Sequence, residues 1–175
     1  MIGRCRVPIL GCVAAALAAC ESPLSPAELR ALAQAEAQWT ARSFQDYVIE
    51  VRQACFCPPE VTQWARVEVI AGAVNRVVLL DSGAEVPPDQ RGRFPTVEQI
   101  FNYIRSARDD DWLKDVVVEF DREFGFPTYV SFVPKPAILD AGGAYYVRHA
   151  ARFLTRSIGT RRRLTSTRSW PGAPK

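Results

Sequence analysis

The stretch ARVEVIAGAVNRVVLL, residues 65–80, decides the fold class. Val67 and Val69 alternate with charged residues, and a second apolar run begins at Val74 after the segment Ala71-Gly72-Ala73. Alternation with a period of two predicts a strand, and a glycine turn between two such runs predicts a β-hairpin. Strands joined by so short a turn are antiparallel, which favours a hairpin-built sheet.

Upstream of this hairpin, the sequence predicts a helix followed by another strand. Ser25-Pro26-Ala27-Glu28 combines an N-cap serine, a proline at the first helical position and a capping-box glutamate, and it predicts a helix over residues 26–40. Alternating apolar and polar residues from 46 to 52 then predict a half-buried strand. Pro58-Pro59 ends that strand because proline cannot donate a ladder hydrogen bond.

Downstream, the pattern repeats. Thr96 begins a second predicted helix with Gln99 at its capping-box position, and this helix ends near Arg108. Further strands are predicted at residues 116–120, 130–132 and 145–153. A helix is the alternative for the last segment, because Arg148 and Arg152 are four residues apart. The order helix, three strands, helix, three strands is typical of the α+β class. We predict a six-stranded antiparallel sheet with both helices on one face.

The first twenty residues have the pattern of a secretory signal. Arg4 and Arg6 precede an apolar run, which ends at Leu17-Ala18-Ala19-Cys20. The run is shorter than the roughly 20 residues that a membrane-spanning helix needs. The last four residues resemble a bacterial lipobox. This resemblance implies that Cys20 receives a diacylglycerol, becomes the mature N-terminus and is acylated again, for example with palmitate.

The chain is therefore predicted to have four parts. Residues 1–19 are a lipoprotein signal peptide that is removed, 20–25 a lipidated N-terminus and tether, 26–154 one α+β domain, and 155–175 a basic, disordered tail. Residues 148–175 hold eight basic and no acidic residues, whereas 20–147 hold 12 basic and 19 acidic ones. Such a tail is either a solvated end, or folds back on the acidic domain, or lies on anionic lipid or polymer.

Removal of the signal peptide and lipidation would leave two cysteines without an assigned role. Cys5 and Cys12 leave with the signal and Cys20 is assigned to lipid, so Cys55 and Cys57 remain. An oxidising envelope favours a structural disulfide between them. The alternatives are two buried thiols, a redox-active pair, or a metal site formed with His149. Such a metal site would lack a fourth ligand of recognisable spacing. His149 lies in an apolar alternation and is predicted to be a partly buried structural residue.

Several segments together resemble a known family. These are VRQACFCPPE at residues 51–60, TVEQIF at 96–101, and Phe120-Asp121 followed by Gly125-Phe126-Pro127. They resemble a widespread family of small bacterial secreted proteins and lipoproteins of unknown function, over residues 39–148. The resemblance implies a domain but no activity and no catalytic residue.

The sequence favours a binding protein over an enzyme. It contains no G-x-S-x-G, H-E-x-x-H, P-loop or dinucleotide fingerprint, and Asp109-Asp110-Asp111 is interpreted as a solvated acidic turn. We expect a non-enzymatic domain, held at the membrane through lipid on Cys20, that binds an unknown envelope protein or polymer. Its binding surface is the exposed sheet face or the tryptophans Trp39, Trp64 and Trp112, with Trp39 favoured as a core residue.

The same hypothesis includes no cofactor, no metal and no nucleic-acid partner. It places the protein in the bacterial cell envelope, facing the periplasm or the exterior. A thiol-redox or disulfide-linked function at Cys55 and Cys57 is the alternative.

Overall fold

The structure is a computed structural model that describes residues 22–136, 138 and 142–152. The helices of this part are α1 (Pro26–Thr40), α2 (Pro59–Thr62) and α3 (Val97–Ser106). The strands are β1 (Tyr47–Ala54), β2 (Ala65–Ile70), β3 (Ala73–Leu79), β4 (Leu113–Phe120), β5 (Pro127–Pro134) and β6 (Gly143–Arg152). The predicted signal peptide, Cys20 and the predicted basic tail lie outside the described residues.

The six strands form one antiparallel sheet in the order β3-β2-β1-β6-β5-β4. The hairpins β2–β3 and β4–β5 pair locally, whereas β1 and β6 meet at the centre of the sheet. This arrangement confirms the predicted α+β class and the antiparallel sheet. The one-turn helix α2, after Pro58, is an addition to the predicted elements.

Both long helices begin at the predicted capping boxes. Ser25 Oγ accepts a hydrogen bond from the Glu28 amide at 3.3 Å, and the Glu28 carboxylate accepts one from the Ser25 amide at 2.7 Å. Thr96 and Gln99 make the same reciprocal pair at 3.2 and 2.8 Å. These bonds satisfy amides that have no partner within a helix. The local sequence is therefore sufficient to begin each helix where it does.

Tyr47 shows that α1 and α3 pack on the same face of the sheet. Its ring lies edge-on to Trp39 of α1 at 5.0 Å, and its hydroxyl accepts a hydrogen bond from the Val97 amide of α3 at 3.1 Å. Strand residues of the same face fill the core, each no more than 3 % exposed: Ile49, Val51, Val67, Val69, Val77, Val116, Val130 and Val147. The helices thus cover one face, as predicted. None of the helices in the described residues has the length and apolarity needed to cross a membrane.

A bulge at His149 interrupts β6. His149 has φ 57°, and the pairing of β1 with β6 shifts between Val48 and Glu50. A bulge adds one residue to a strand, so the side chains beyond it change faces. His149 is therefore exposed, and Ala150 packs against the core in its place. The predicted burial of His149 is wrong for this reason.

The turn between β4 and β5 packs against α1. Gly125 has φ +78°, and a Cβ atom at this position would lie 2.5 Å from the carbonyl oxygen of Ala35. Beside it, the Gln38 amide donates to the carbonyls of Arg122 and Glu123 at 2.8 and 2.7 Å. Glycine is required here both by the left-handed backbone and by the close approach of the helix.

The sheet has two ends, which we call the Ala54 end and the Tyr47 end after the two limits of β1. Arg152 pairs with Tyr47, so β6 finishes at the Tyr47 end. α3 starts beside Tyr47 and runs toward the Ala54 end, where Ser22 Oγ donates to the Arg108 carbonyl at 3.3 Å. The described chain therefore enters the domain at the Ala54 end and leaves it at the Tyr47 end.

Candidate functional site

A cleft of about 290 Å³ opens at the Ala54 end, on the face that carries the helices. Its walls come from the last turn of α3, the loop before β4 and the adjoining ends of β1, β5 and β6. Ser106, the last residue of α3, and Gly143, the first residue of β6, both line it. Residues that line it include Gln53, Cys55, Tyr103, Asp110, Trp112 and Tyr145.

Aromatic rings form one wall of this cleft. Tyr103 and Tyr145 stack with ring centroids 5.8 Å apart and planes 23° apart, and Phe132 meets Tyr145 edge-on at 6.4 Å. Tyr145 and Phe132 lie on the core face of the sheet, so the rings continue the hydrophobic core to the surface. Tyr103 remains 40 % exposed, which leaves part of its ring open to solvent.

The polar groups of the cleft are few. Burial, and then the neighbouring Tyr103, raise the pKa of Tyr145 above its ordinary value of 10.0, so this phenol stays protonated in neutral solution. Asp110 contributes a carboxylate, and the Gln53 amide is held by the Arg93 carbonyl at 2.7 Å. A concave surface with mostly apolar walls and a few polar groups suits an apolar or ring-shaped ligand.

The two remaining cysteines lie beside the cleft. β1 ends at Ala54, and Cys55 and Cys57 follow in a bend where their sulfur atoms are within bonding distance, with Cα atoms 5.3 Å apart. That separation lies within the range of natural disulfides. Both cysteines are partly buried against the core, whereas Phe56 between them is 97 % exposed.

A family model matches most of the domain. The model, for a family of unknown function (DUF6174), covers residues 31–152, from α1 to β6. The chain belongs to this family. No curated protein and no solved structure was found to match it. The predicted membership in an uncharacterised family is confirmed, and the lipobox-like segment lies outside the matched residues.

The other predicted residues of this DUF6174 domain do not form one site. Trp39 is a core residue at 2 % exposure, as predicted, while Trp112 lines the cleft and Trp64 lies near the outer sheet face. His149 lies in the bulge of β6 toward the Tyr47 end, whereas Cys55 lies at the Ala54 end. The described residues contain no group of three His, Cys, Asp or Glu side chains placed to hold a metal ion.

Sequence reasoning missed a polar centre around Glu98 in the DUF6174 domain. The Glu98 carboxylate accepts hydrogen bonds from Trp39 Nε1 at 2.8 Å, from the Tyr47 hydroxyl at 2.5 Å and from Arg42 at 3.0 Å. Burial raises the pKa of Glu98, but the hydrogen bonds from Tyr47 and Trp39 outweigh it and hold the pKa below its ordinary value. The available signal was an acidic residue in the first turn of a helix, which is common and not specific.

The outer face of the sheet carries a second charged cluster. Glu50, only 8 % exposed, is bound by Arg66 at 3.0 Å and by Arg148 at 2.9 Å. Burial opposes ionisation, yet the hydrogen bonds from the two arginines hold the pKa of Glu50 below its ordinary value. Next to them, the Arg52 guanidinium lies over the Tyr146 ring at 4.5 Å and near Trp64 at 5.4 Å. This part of the outer face therefore carries paired charges beside aromatic rings.

Proposed function

We propose that this DUF6174 protein is a lipid-anchored binding protein of the bacterial cell envelope, and that the aromatic cleft at the Ala54 end is its binding site. The main support for this binding site is the stacked pair Tyr103 and Tyr145, which extends the core into an open cleft. Aromatic side chains are enriched at binding sites because they contribute large contact areas with few rotatable bonds. The site is non-enzymatic in this proposal.

The anchor in this proposal is Cys20, and its support is the signal-like sequence that precedes it. Mass spectrometry of the mature protein from a bacterial host tests the anchor directly. We expect an N-terminal cysteine that carries two or three acyl chains, and a Cys20→Ala variant that carries none. Recovery of an unmodified Cys20, or of an uncleaved N-terminus, would contradict the anchor.

The cleft is tested separately by photo-crosslinking in intact cells. A benzoylphenylalanine residue at position 103 is expected to give a discrete cross-linked species, and a Tyr145→Ala change in the same chain is expected to weaken it. Val117 is the matched control, since it is also a large exposed hydrophobic residue, at 42 % exposure, but belongs to β4 outside the cleft. Equal cross-linking from positions 103 and 117 would remove the cleft as the binding site.

A thiol-redox function at Cys55 and Cys57 is the second candidate. It is favoured by one observation, namely that Cys55 lines the cleft and is therefore next to any bound ligand. Thiol trapping after equilibration with reduced and oxidised glutathione separates the two proposals. A pair that stays oxidised even at the most reducing glutathione ratio supports a structural disulfide, whereas a pair whose oxidised fraction follows the glutathione ratio supports redox exchange.

A further inference from the structure

Phe56 is the most exposed large apolar side chain of the described residues, at 97 %. It is placed at the tip of a short ring that the Cys55–Cys57 pair closes, and the exposed Pro58 and Pro59 follow it. A closed ring and two prolines leave this tip little conformational freedom. Binding at the tip therefore removes little conformational entropy from this segment, so the tip is preorganised for contact.

The tip lies at the same end of the domain as the start of the described chain. Ser22 and Asp110 line one groove, and Asp110 and Cys55 line the neighbouring cleft. Leu24 is already buried, at 2 % exposure, so the chain is packed onto the domain almost from its first described residue. Cys20 precedes Ser22 by two residues, which span at most about 7 Å. A lipid on Cys20 would therefore bring the Ala54 end to the membrane surface.

We propose that Phe56 inserts into the interfacial layer of the bilayer that holds the Cys20 lipid, so that the domain touches the membrane with its Phe56 tip, beside the cleft that opens on the helix-bearing face. This inference rests on the proposed lipid anchor and adds an orientation to it. Aromatic side chains are favoured at the level of the lipid headgroups. Asp109, Asp110 and Asp111 lie at the same end and are repelled by anionic lipid, which indicates a zwitterionic surface as the preferred partner.

The test uses the mature chain, residues 20–175, coupled through the Cys20 thiol to a maleimide lipid in phosphatidylcholine vesicles. Cys20 is the remaining free thiol when Cys55 and Cys57 are paired. This coupling replaces the natural lipid, so a failure of Cys20 acylation in cells, which would overturn the anchor, leaves the orientation test intact. Phe56→Trp supplies the probe, and its emission is obtained by subtracting the spectrum of the parent protein.

Vesicles with brominated acyl chains are expected to quench the emission of Phe56→Trp and to shift it to shorter wavelength. Ala73→Trp is the matched control, because Ala73 is exposed and lies by the hairpin turn at the Tyr47 end. Quenching of Phe56→Trp with unquenched Ala73→Trp supports the orientation. Equal quenching of both variants overturns the orientation. Quenching of neither variant also overturns it, and the tip is then free for a protein partner. Both positions are exposed, and circular dichroism checks that each variant keeps the parent fold.

Discussion

The hydroxyl of Tyr47 joins the sheet to α3, since it donates to Glu98 at 2.5 Å and accepts from the Val97 amide at 3.1 Å. The first bond is to a carboxylate, and hydrogen bonds to charged groups are stronger than neutral ones. The second satisfies an amide in the first turn of α3, where helical amides have no internal partner. One side chain therefore fixes where the helix begins relative to β1.

Tyr47→Phe is expected to lower the free energy of unfolding by about 2 kcal/mol, because it removes a bond to a charged acceptor and leaves a buried amide without a partner. Urea denaturation measures this loss. Tyr129→Phe is the control, since Tyr129 is only half-buried and its hydroxyl makes no hydrogen bond to any described residue. A Tyr47→Phe variant as stable as the control would show that this contact does not contribute to stability.

Glu98 is expected to make the domain sensitive to acid. The pKa of Glu98 is lower in the folded protein than its ordinary value of 4.5, so its contribution is complete above that value and is lost as the pH falls through the folded pKa. Glu98→Gln cannot titrate and should show a smaller loss of stability between about pH 5 and 3.

Thermal unfolding as a function of pH checks this expectation, with Glu60→Gln as the control. Glu60 is exposed and forms no salt bridge with a described residue. A Glu98→Gln profile parallel to that of the parent protein would contradict the assignment.

Gly125→Ala is expected to destabilise the domain by about 3 kcal/mol, because it adds steric overlap to left-handed backbone strain. The overlap follows from the 2.5 Å distance between a Cβ atom at this position and the Ala35 carbonyl oxygen. Gly83→Ala separates the two effects, since Gly83 has φ +71° and nothing within 4 Å of its Cβ position. That control should cost only about 1 kcal/mol. If both variants lost the same free energy of unfolding in urea denaturation, α1 would be able to move away from the turn with little loss of stability.

Replacement of both Cys55 and Cys57 by alanine is expected to leave a folded domain. The pair is two residues apart in sequence, and a ring this short constrains the unfolded chain by only about 1.5 kcal/mol. Urea denaturation of the double variant, with the parent protein under reducing conditions for comparison, measures the difference. A double variant that fails to fold would show that the pair has a larger structural role than its loop length implies.

The features that the sequence predicts correctly are local ones. Ser25 and Thr96 cap their helices with partners three residues away, and Ala71-Gly72 joins two strands that are adjacent in the chain. Each depends on neighbours that the sequence itself places together. This is why the bounds of α1, the start of α3 and the first hairpin agree with prediction.

The features that prediction missed depend on contacts between distant residues. Arg148 and Glu50 are 98 residues apart, and their pairing is set by the central position of β1 and β6. The His149 bulge arises within that same pairing, so periodicity in β6 alone could not indicate it. The cleft depends on where α3 ends above the sheet, and Tyr103 and Tyr145 stack only after both elements are packed.

The opposite positions of Ser22 and Arg152 have a mechanical consequence. A pull that separates the two ends of the domain acts on β6 along its own axis, toward the Tyr47 end. Hydrogen bonds of antiparallel strands are perpendicular to the strands, so such a force shears the β6 ladders with β1 and β5 together instead of opening them one bond at a time. The central strand therefore resists tension that is applied between Ser22 and Arg152.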